Sequence, residues 1–265
     1  MDKPNDTHAT HRELELLDTL RSLGGSARTA SLAEALDVSE ETVRRTVKAL
    51  ASADLVQRVH GGVYLTNLDA YSPVTSRLGK HSEEKSRVAA ATARLIPNGS
   101  SIFLDVGSTT AFVAEKLKNH RNMTVITNGL HPAQTLLGQN HNQVFLAGGT
   151  LQQAELGTFG PDAIEFVRRF SIDTAILSVD GIDTQSGFLL AGAAEADLAR
   201  AVVSRAKRCV VVVDHSKFGQ TAPMVICAPE QIDIVVTDRV LKPVFQRLMS
   251  EWEIEIVVAE KGGRT

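Results

Sequence analysis

Residues 101–117 read SIFLDVGSTTAFVAEKL. An apolar run, Ile102-Phe103-Leu104, stops at Asp105, and a small-residue loop leads into a segment with helical spacing. A short continuous apolar run reads as a strand buried on both faces, which belongs in a mainly parallel sheet between helices. The loop has chemistry of its own. Gly107 lets backbone approach a ligand, and Ser108, Thr109 and Thr110 add hydroxyls at the start of the helix. Unpaired N–H groups and the positive dipole end at a helix N-terminus make a cradle for phosphate. An N-capped turn without a ligand would look the same, so context must decide.

The context repeats the pattern. Apolar runs recur in MTVITNG (123–129), QVFLAGG (143–149), DTAILSVDG (173–181), RCVVVVDHS (208–216), DIVVTD (233–238) and IEIVVAE (254–260). Helical spacing fills most of the gaps, so residues 82–265 are expected to form a Rossmann-like α/β domain. In such a sheet ligands bind outside the carboxyl ends of the strands. Polar residues end these runs: Asp105, Asn128, Gly148 and Gly149, Asp180 and Asp183, and Lys217 just beyond Asp214 and His215. Glu195, at an expected helix start, is a weaker candidate. A carboxylate at 180 or 183 could bond sugar hydroxyls, and Lys217 could reach a phosphate or hydroxyl. Each residue alone is as readily a capped turn or an ion pair; their convergence at strand ends favours a site.

Toward the N-terminus the period changes. Leu14, Leu16, Leu17, Leu20 and Leu23 mark a helix ended by Gly24-Gly25, and 31–36 a second. After the Asp37-Val38 turn, Ser39 is a natural N-cap, with Glu40 and Glu41 in the first turn of a third helix. Val43, Val47 and Leu50 form its apolar stripe, and LVQRVHGGVYLT reads as a hairpin. Three short helices and a hairpin outline a winged helix-turn-helix over 11–66, after a polar tail at 1–10 and before a linker at 67–81. The face opposite the stripe carries Thr42, Arg44, Arg45 and Lys48, which can reach phosphates and base edges in a major groove, with Ser39 at the helix start. Arg58, His60 and Gly61 fall on the wing. Between 42 and 60, Arg44, Arg45, Lys48 and Arg58 oppose only Asp54, whereas the chain as a whole carries a net charge of −3. Local charge of this kind suits DNA contact; a basic helix face alone would not establish it.

The 265 residues, 43% hydrophobic, leave room for two domains and a sizeable core. The longest apolar runs are far shorter than the ~18–20 residues of a membrane helix. The start MDKPNDTHAT is polar, with no signal-peptide pattern. Cys209 and Cys227 are widely separated among apolar residues and read as reduced thiols. A cytoplasmic protein without cofactor or metal is the expectation.

These segments carry a family resemblance. SLAEALDVSEETVRRTVKALASADLVQRVHGGVYL resembles the N-terminal motif of DeoR-family transcriptional regulators, and EKSRVAAATARLIPNGSSIFLDVGSTT, MTVITNG, VFLAGGTL, DTAILSVDGID, VVVVDHSKFG and DIVVTD continue it in order over roughly 11–240. The family often has an aspartate after the paired arginines, where this chain has Thr46; that departure could alter operator choice. The second half is also similar to sugar-phosphate isomerases and amino-sugar deaminases, to which DeoR sensor domains are related. The resemblance implies that the GST-type loop holds phosphate. Asp180 and Asp183 match the enzymes' paired aspartates, but FLLAGAAEA lacks their lysine, which implies binding kept and catalysis lost.

Three functions fit. The first is a repressor whose grip on a double-stranded operator is modulated by a phosphorylated sugar, acting as a homodimer or homotetramer on paired half-sites. The second is a sugar-phosphate isomerase or deaminase fused to a DNA-binding module. The third is a DNA binder whose C-terminal half only oligomerises. The helix expected near 241–252 could serve an interface or a core.

Overall fold

The computed structural model describes residues 10–23, 26–53, 55–59, 62–65 and 73–259. His60 and Gly61, and residues 66–72 around the linker, lie outside the described residues. The N-terminal unit contains α1 (His11–Ser22), β1 (Ser26–Arg28), α2 (Thr29–Ala35), α3 (Glu40–Ser52), β2 (Val56–Val59) and β3 (Gly62–Leu65). Ser39 caps α3, accepting from Thr42 N at 3.2 Å. Asp37 takes the left-handed conformation at φ 50°, which turns the chain sharply between α2 and α3. The antiparallel wing β2–β3 gains a third strand, because β1 pairs with β3; nothing in the residues 26–28 announces it.

Leu16, Leu17 and Leu20 of α1, Leu32 of α2, Val43, Val47 and Leu50 of α3, and Val56, Val63 and Leu65 of the wing close one core. Leu14 is half-buried and Leu23 is exposed, so the α1 stripe is narrower than its leucine spacing predicts. Ala191, far along the chain, packs into the same core.

Next come α4 (Val74–Leu78), inside the expected linker, and α5 (Ser82–Arg94). Then follow β4 (Ser101–Leu104), α6 (Ser108–Leu117), β5 (Thr124–Thr127), α7 (Leu130–Leu136), β6 (Gln143–Leu146), β7 (Thr150–Gln152), β8 (Gly157–Phe159) and α8 (Pro161–Arg168). The chain continues through β9 (Thr174–Leu177), β10 (Gly181–Asp183), β11 (Gly187–Leu190), α9 (Ala193–Val203), β12 (Cys209–Val212), β13 (Met224–Val225), β14 (Ile234–Thr237), α10 (Pro243–Glu251) and β15 (Glu255–Val258).

Seven strands form one parallel sheet in the order β15-β14-β12-β9-β4-β5-β6. They are the seven apolar runs of the sequence. Alternate residues enter opposite cores: Ile102, Leu104, Ile176, Val210 and Val212 pack with α5 and α6, while Phe103, Ala175, Leu177, Val211 and Val235 pack with α8, α9 and α10. That explains the continuous hydrophobicity, since a strand roofed on both faces has no solvent side. The helix near 241–252 is a core helix on one face: Phe245 and Met249 are buried in this chain. Cys209 and Cys227 are free, and burial pushes both thiols up to about 12. No helix among the described residues is long and apolar enough to cross a membrane.

The order of the sheet fixes where a crevice can form. From β4 the chain proceeds through β5 and β6 on one side, then returns to β9, β12, β14 and β15 on the other. Connections therefore diverge between β4 and β9, and the carboxyl ends of those strands are the topological switch point where open α/β sheets bind ligands.

Candidate functional site

A narrow cavity sits at that point. Asp105, Val106 and Gly107 line it from the end of β4, and Ser178 and Asp180 from the end of β9. Asn128, at the end of β5, is fully buried and receives Val106 N–H on Oδ1 at 3.1 Å. Its Nδ2 donates to Thr158 O at 3.5 Å. Asn128 thus fixes the Asp105–Gly107 loop from behind. Ser178 Oγ donates to Val106 O at 3.2 Å, tying the two strand ends together. Gly107 has φ 154°, and a Cβ there would collide with Ser178 Oγ, so only glycine fits this close approach. Thr110 is fully buried and its hydroxyl donates to Gly107 O at 3.1 Å; Ser108 and Thr109 are nearly as buried in the first turn of α6.

Asp105 is the strongly perturbed group. Burial pushes its carboxyl from 3.8 up to about 7, with Glu155 and Asp180 adding repulsion against the N–H groups of Ser178 and Val106. The surface it retains faces the cavity. Val106 N–H donates to Oδ1 at 2.8 Å and Ser178 N–H to Oδ2 at 3.5 Å. A carboxyl that takes up a proton near neutrality can donate as well as accept, which suits a hydroxylated ligand and also acid–base chemistry.

Two further lining residues escape the sequence reading. Arg77 comes from α4 and Glu155 from the turn between β7 and β8; they form an ion pair, and Arg77 Nη1 is also 3.6 Å from Asp180. Asp180 Oδ2 accepts from Ala191 N at 2.8 Å. Glu195, at the start of α9, completes the acidic side of the cavity. Ser178 was within reach of sequence reasoning, as it ends an apolar run. Arg77 sits in an apparent linker, and Glu155 in a segment with no strong period.

Other expected residues fall elsewhere. Asp183 does not line this cavity; its carboxylate accepts from Gln185 N and Ser186 N, both at 2.9 Å, and closes the β10–β11 turn. It lines a second cavity, between that hairpin and Ala49, Leu50, Ala53 and Leu55 at and just after the end of α3. Gly149, at φ 115°, lets Phe159 O approach where a Cβ would clash, which serves the β7–β8 hairpin; neither it nor Gly148 lines the switch-point cavity. Lys217 also lies outside it, in a short 3-10 turn whose start is capped by Asp214 accepting from Ser216 N at 2.9 Å. His215, two residues before Lys217, turns to Asp238, with Nδ1 3.2 Å from the carboxylate.

On α3, Arg44, Arg45 and Lys48 are exposed, with Thr42 half-buried beside them. Arg44 pairs with Glu40 at 2.8 Å and Arg45 with Glu41 at 3.4 Å. These exposed pairs are weak and can yield to phosphates. Arg58 is exposed on β2. Thr46 faces the other way: it is buried and donates from Oγ1 to Thr42 O at 3.0 Å. The expectation that this departure alters operator choice is therefore not supported by the position of the side chain. Its position turns it into the domain, one residue before Val47.

The DeoR-like helix-turn-helix domain model matches residues 12–67, and the DeoR C terminal sensor domain model matches residues 80–239. This chain belongs to the DeoR family of transcriptional regulators. It is 36% identical over 214 residues to the glycerol-3-phosphate regulon repressor of Escherichia coli K12, covering 81% of this chain and 85% of that one. It is 32% identical over 230 residues to the transcriptional repressor CsqR of the same organism, covering 87% and 88%. With the repressor GlcR of Bacillus subtilis it shares 29% over 251 residues, covering 94% and 96%. Among solved structures, ribose 5-phosphate isomerase A of Methanocaldococcus jannaschii overlaps 52% of this chain and 55% of its own with a TM-score of 0.39 and 20% identity. The DeoR-family chain described here is a DNA-binding regulator, and its operator is a partner.

Proposed function

We propose that this regulator is a repressor of a carbohydrate-catabolism operon, relieved when a phosphorylated sugar or related metabolite binds the switch-point cavity. The observation that carries this reading is the position of the Asp105–Thr110 loop. It puts the Gly107 backbone, one residue before α6, at the β4/β9 divergence beside carboxylates able to bond hydroxyls, while Ser108, Thr109 and Thr110 are buried behind it and do not line the cavity. The names of the relatives point the same way, and one of them makes glycerol 3-phosphate a first candidate. The protein works as a homo-oligomer, because a winged helix reading a palindromic operator needs a symmetric partner. Effector binding acts by favouring one arrangement of the DNA-binding units, which requires unequal affinity for two states worth about 1–3 kcal/mol.

The test is a melting screen with glycerol 3-phosphate, ribose 5-phosphate, glucose 6-phosphate and fructose 6-phosphate. A true ligand at 100 times its dissociation constant adds about 2.7 kcal/mol. No stabilisation by any of the four, nor by inorganic phosphate, would overturn the effector reading and leave an oligomerisation role.

One observation favours a second reading. Asp105, carrying a proton near neutrality beside Asp180 and Glu195, is a competent acid–base group, so the cavity could turn over a sugar phosphate. The regulator reading expects none. Isomerisation of any of the three sugar phosphates, or deamination of an amino-sugar phosphate such as glucosamine 6-phosphate, at more than trace rate and abolished in Asp105→Asn, would establish the enzyme instead.

A further inference from the structure

The switch-point cavity is too small for the ligand proposed for it. Its free volume is about 10 Å³, room for about one water, whereas small-molecule pockets begin at roughly 300 Å³. A lining group has to move on binding. Most are fixed to the sheet: Asn128 and Ser178 hold the Asp105–Gly107 loop, and Asp180 is bonded through both its backbone N–H, to Leu189 O at 2.9 Å, and its carboxylate. Arg77 is different. It stands on the five-residue α4 and reaches the cavity by its side chain. It is the one cation among the lining residues, which include the carboxyl groups of Asp105, Glu155, Asp180 and Glu195. Its guanidinium pairs with Glu155, yet its Nε, though buried, has no hydrogen-bond partner among the described residues. A buried donor without an acceptor costs about 1–3 kcal/mol and calls for an explanation.

We propose that Arg77 is the anion-binding residue of this cavity and that Glu155 competes with the ligand for it. A phosphate-bearing ligand enters by drawing the guanidinium off Glu155, which opens the cavity and supplies an acceptor for the donor left over. A guanidinium offers phosphate the same forked pair of N–H groups that it offers a carboxylate, so the exchange is of like for like. The proposal rests on the phosphate reading of the cavity and adds the route to the DNA-binding unit. The helix α4 is held to the sensor by Val74 N donating to Ala154 O at 2.8 Å, by Lys85 Nζ donating to Arg77 O at 2.6 Å, and by the Arg77–Glu155 pair. Taking Arg77 from Glu155 removes one of these ties on the segment that follows the winged helix.

Two variants separate this from a structural ion pair, because the proposal gives them opposite signs. Calorimetric titration of the full-length protein with glycerol 3-phosphate, the three sugar phosphates above and inorganic phosphate should show Arg77→Gln weakening the best binder about 10- to 100-fold, the loss of a charged hydrogen bond. Glu155→Gln should tighten it severalfold, since a competitor and a repelling charge are removed. A merely structural pair would weaken binding in both variants, and that result, or tighter binding in Arg77→Gln, overturns the proposal. If wild type binds none of the five probes, the phosphate reading fails on its own account. The latch is then decided by hydrogen exchange without ligand. Glu155→Gln should speed exchange of the α4 amides at least about tenfold, and unchanged exchange would overturn the latch as well.

Discussion

Replacing Asp105 by asparagine should change how stability depends on pH more than it changes stability at any one pH. The folded carboxyl titrates near 7, against 3.8 for an ordinary aspartate, chiefly because it is buried. Below about pH 4 the group is protonated in folded and unfolded chains alike, and it costs nothing. Between about 4 and 7 the folded chain keeps a proton that the unfolded chain has lost, so stability falls as pH rises. Above about 7 the cost is complete. At roughly 1.4 kcal/mol per pH unit, the span amounts to about 4 kcal/mol. Asparagine carries no such cost. It does lose one of the two acceptors that now meet Val106 N–H and Ser178 N–H, a penalty of about 1 kcal/mol that is the same at every pH. Urea unfolding of both proteins at pH 5, 6, 7 and 8, at one protein concentration, measures the difference. Asp105→Asn should gain on wild type by about 3 kcal/mol between pH 5 and 8 and be the more stable protein at pH 8. Parallel pH profiles would refute the placement of a protonated carboxyl at the end of β4.

Other expectations are as direct. Arg45→Ala should weaken operator binding by about 1–3 kcal/mol if it reads a base edge, or lower the salt slope by about 1 if it holds a phosphate; anisotropy titrations at several salt concentrations distinguish these, and unchanged binding would mean another face of α3 meets DNA. Thr46→Ala should leave the selected operator sequence unchanged in a random-duplex selection, because the side chain is buried against its own helix. Burial pushes the Asp238 carboxyl up, but the His215 N–H and Arg239 outweigh it and hold it below the usual range. Its contribution is thus present above the ordinary aspartate range and lost as pH falls through the lowered folded value, so Asp238→Asn should destabilise at pH 7 and lose that disadvantage progressively in acid.

The sheet was legible because its inner strands are roofed by helices on both faces, which leaves a continuous apolar run ending in a polar residue, and the part-exposed edge strands β6 and β15 keep enough of the same pattern. Helix α3 was legible for a related reason: a capping serine, acids in the first turn and a clean three-residue stripe are local signals. The candidate site was only half legible. Asp105, Gly107 and Asp180 stand where strand ends put them. Asn128, Gly149 and Asp183 end strands too, but their groups are used within the fold, on a neighbouring loop, a close hairpin contact and a turn. Period and composition do not report which way a strand-end side chain is committed. Arg77 and Glu155 meet across 78 positions of sequence, and no local pattern marks a pair made by tertiary packing. The three-residue β1 was hidden likewise, since its pairing partner β3 lies more than thirty residues away.

The central claim is that the switch-point cavity reports a phosphorylated metabolite to the operator. Anisotropy of a labelled, selected operator duplex, titrated with protein in the presence and absence of glycerol 3-phosphate and the three sugar phosphates, tests it most directly. At least one compound should shift operator affinity about 5- to 150-fold in wild type and leave it unmoved in Asp105→Ala, whose basal affinity stays intact. Operator affinity indifferent to all four compounds, or a shift that survives in Asp105→Ala, would contradict it.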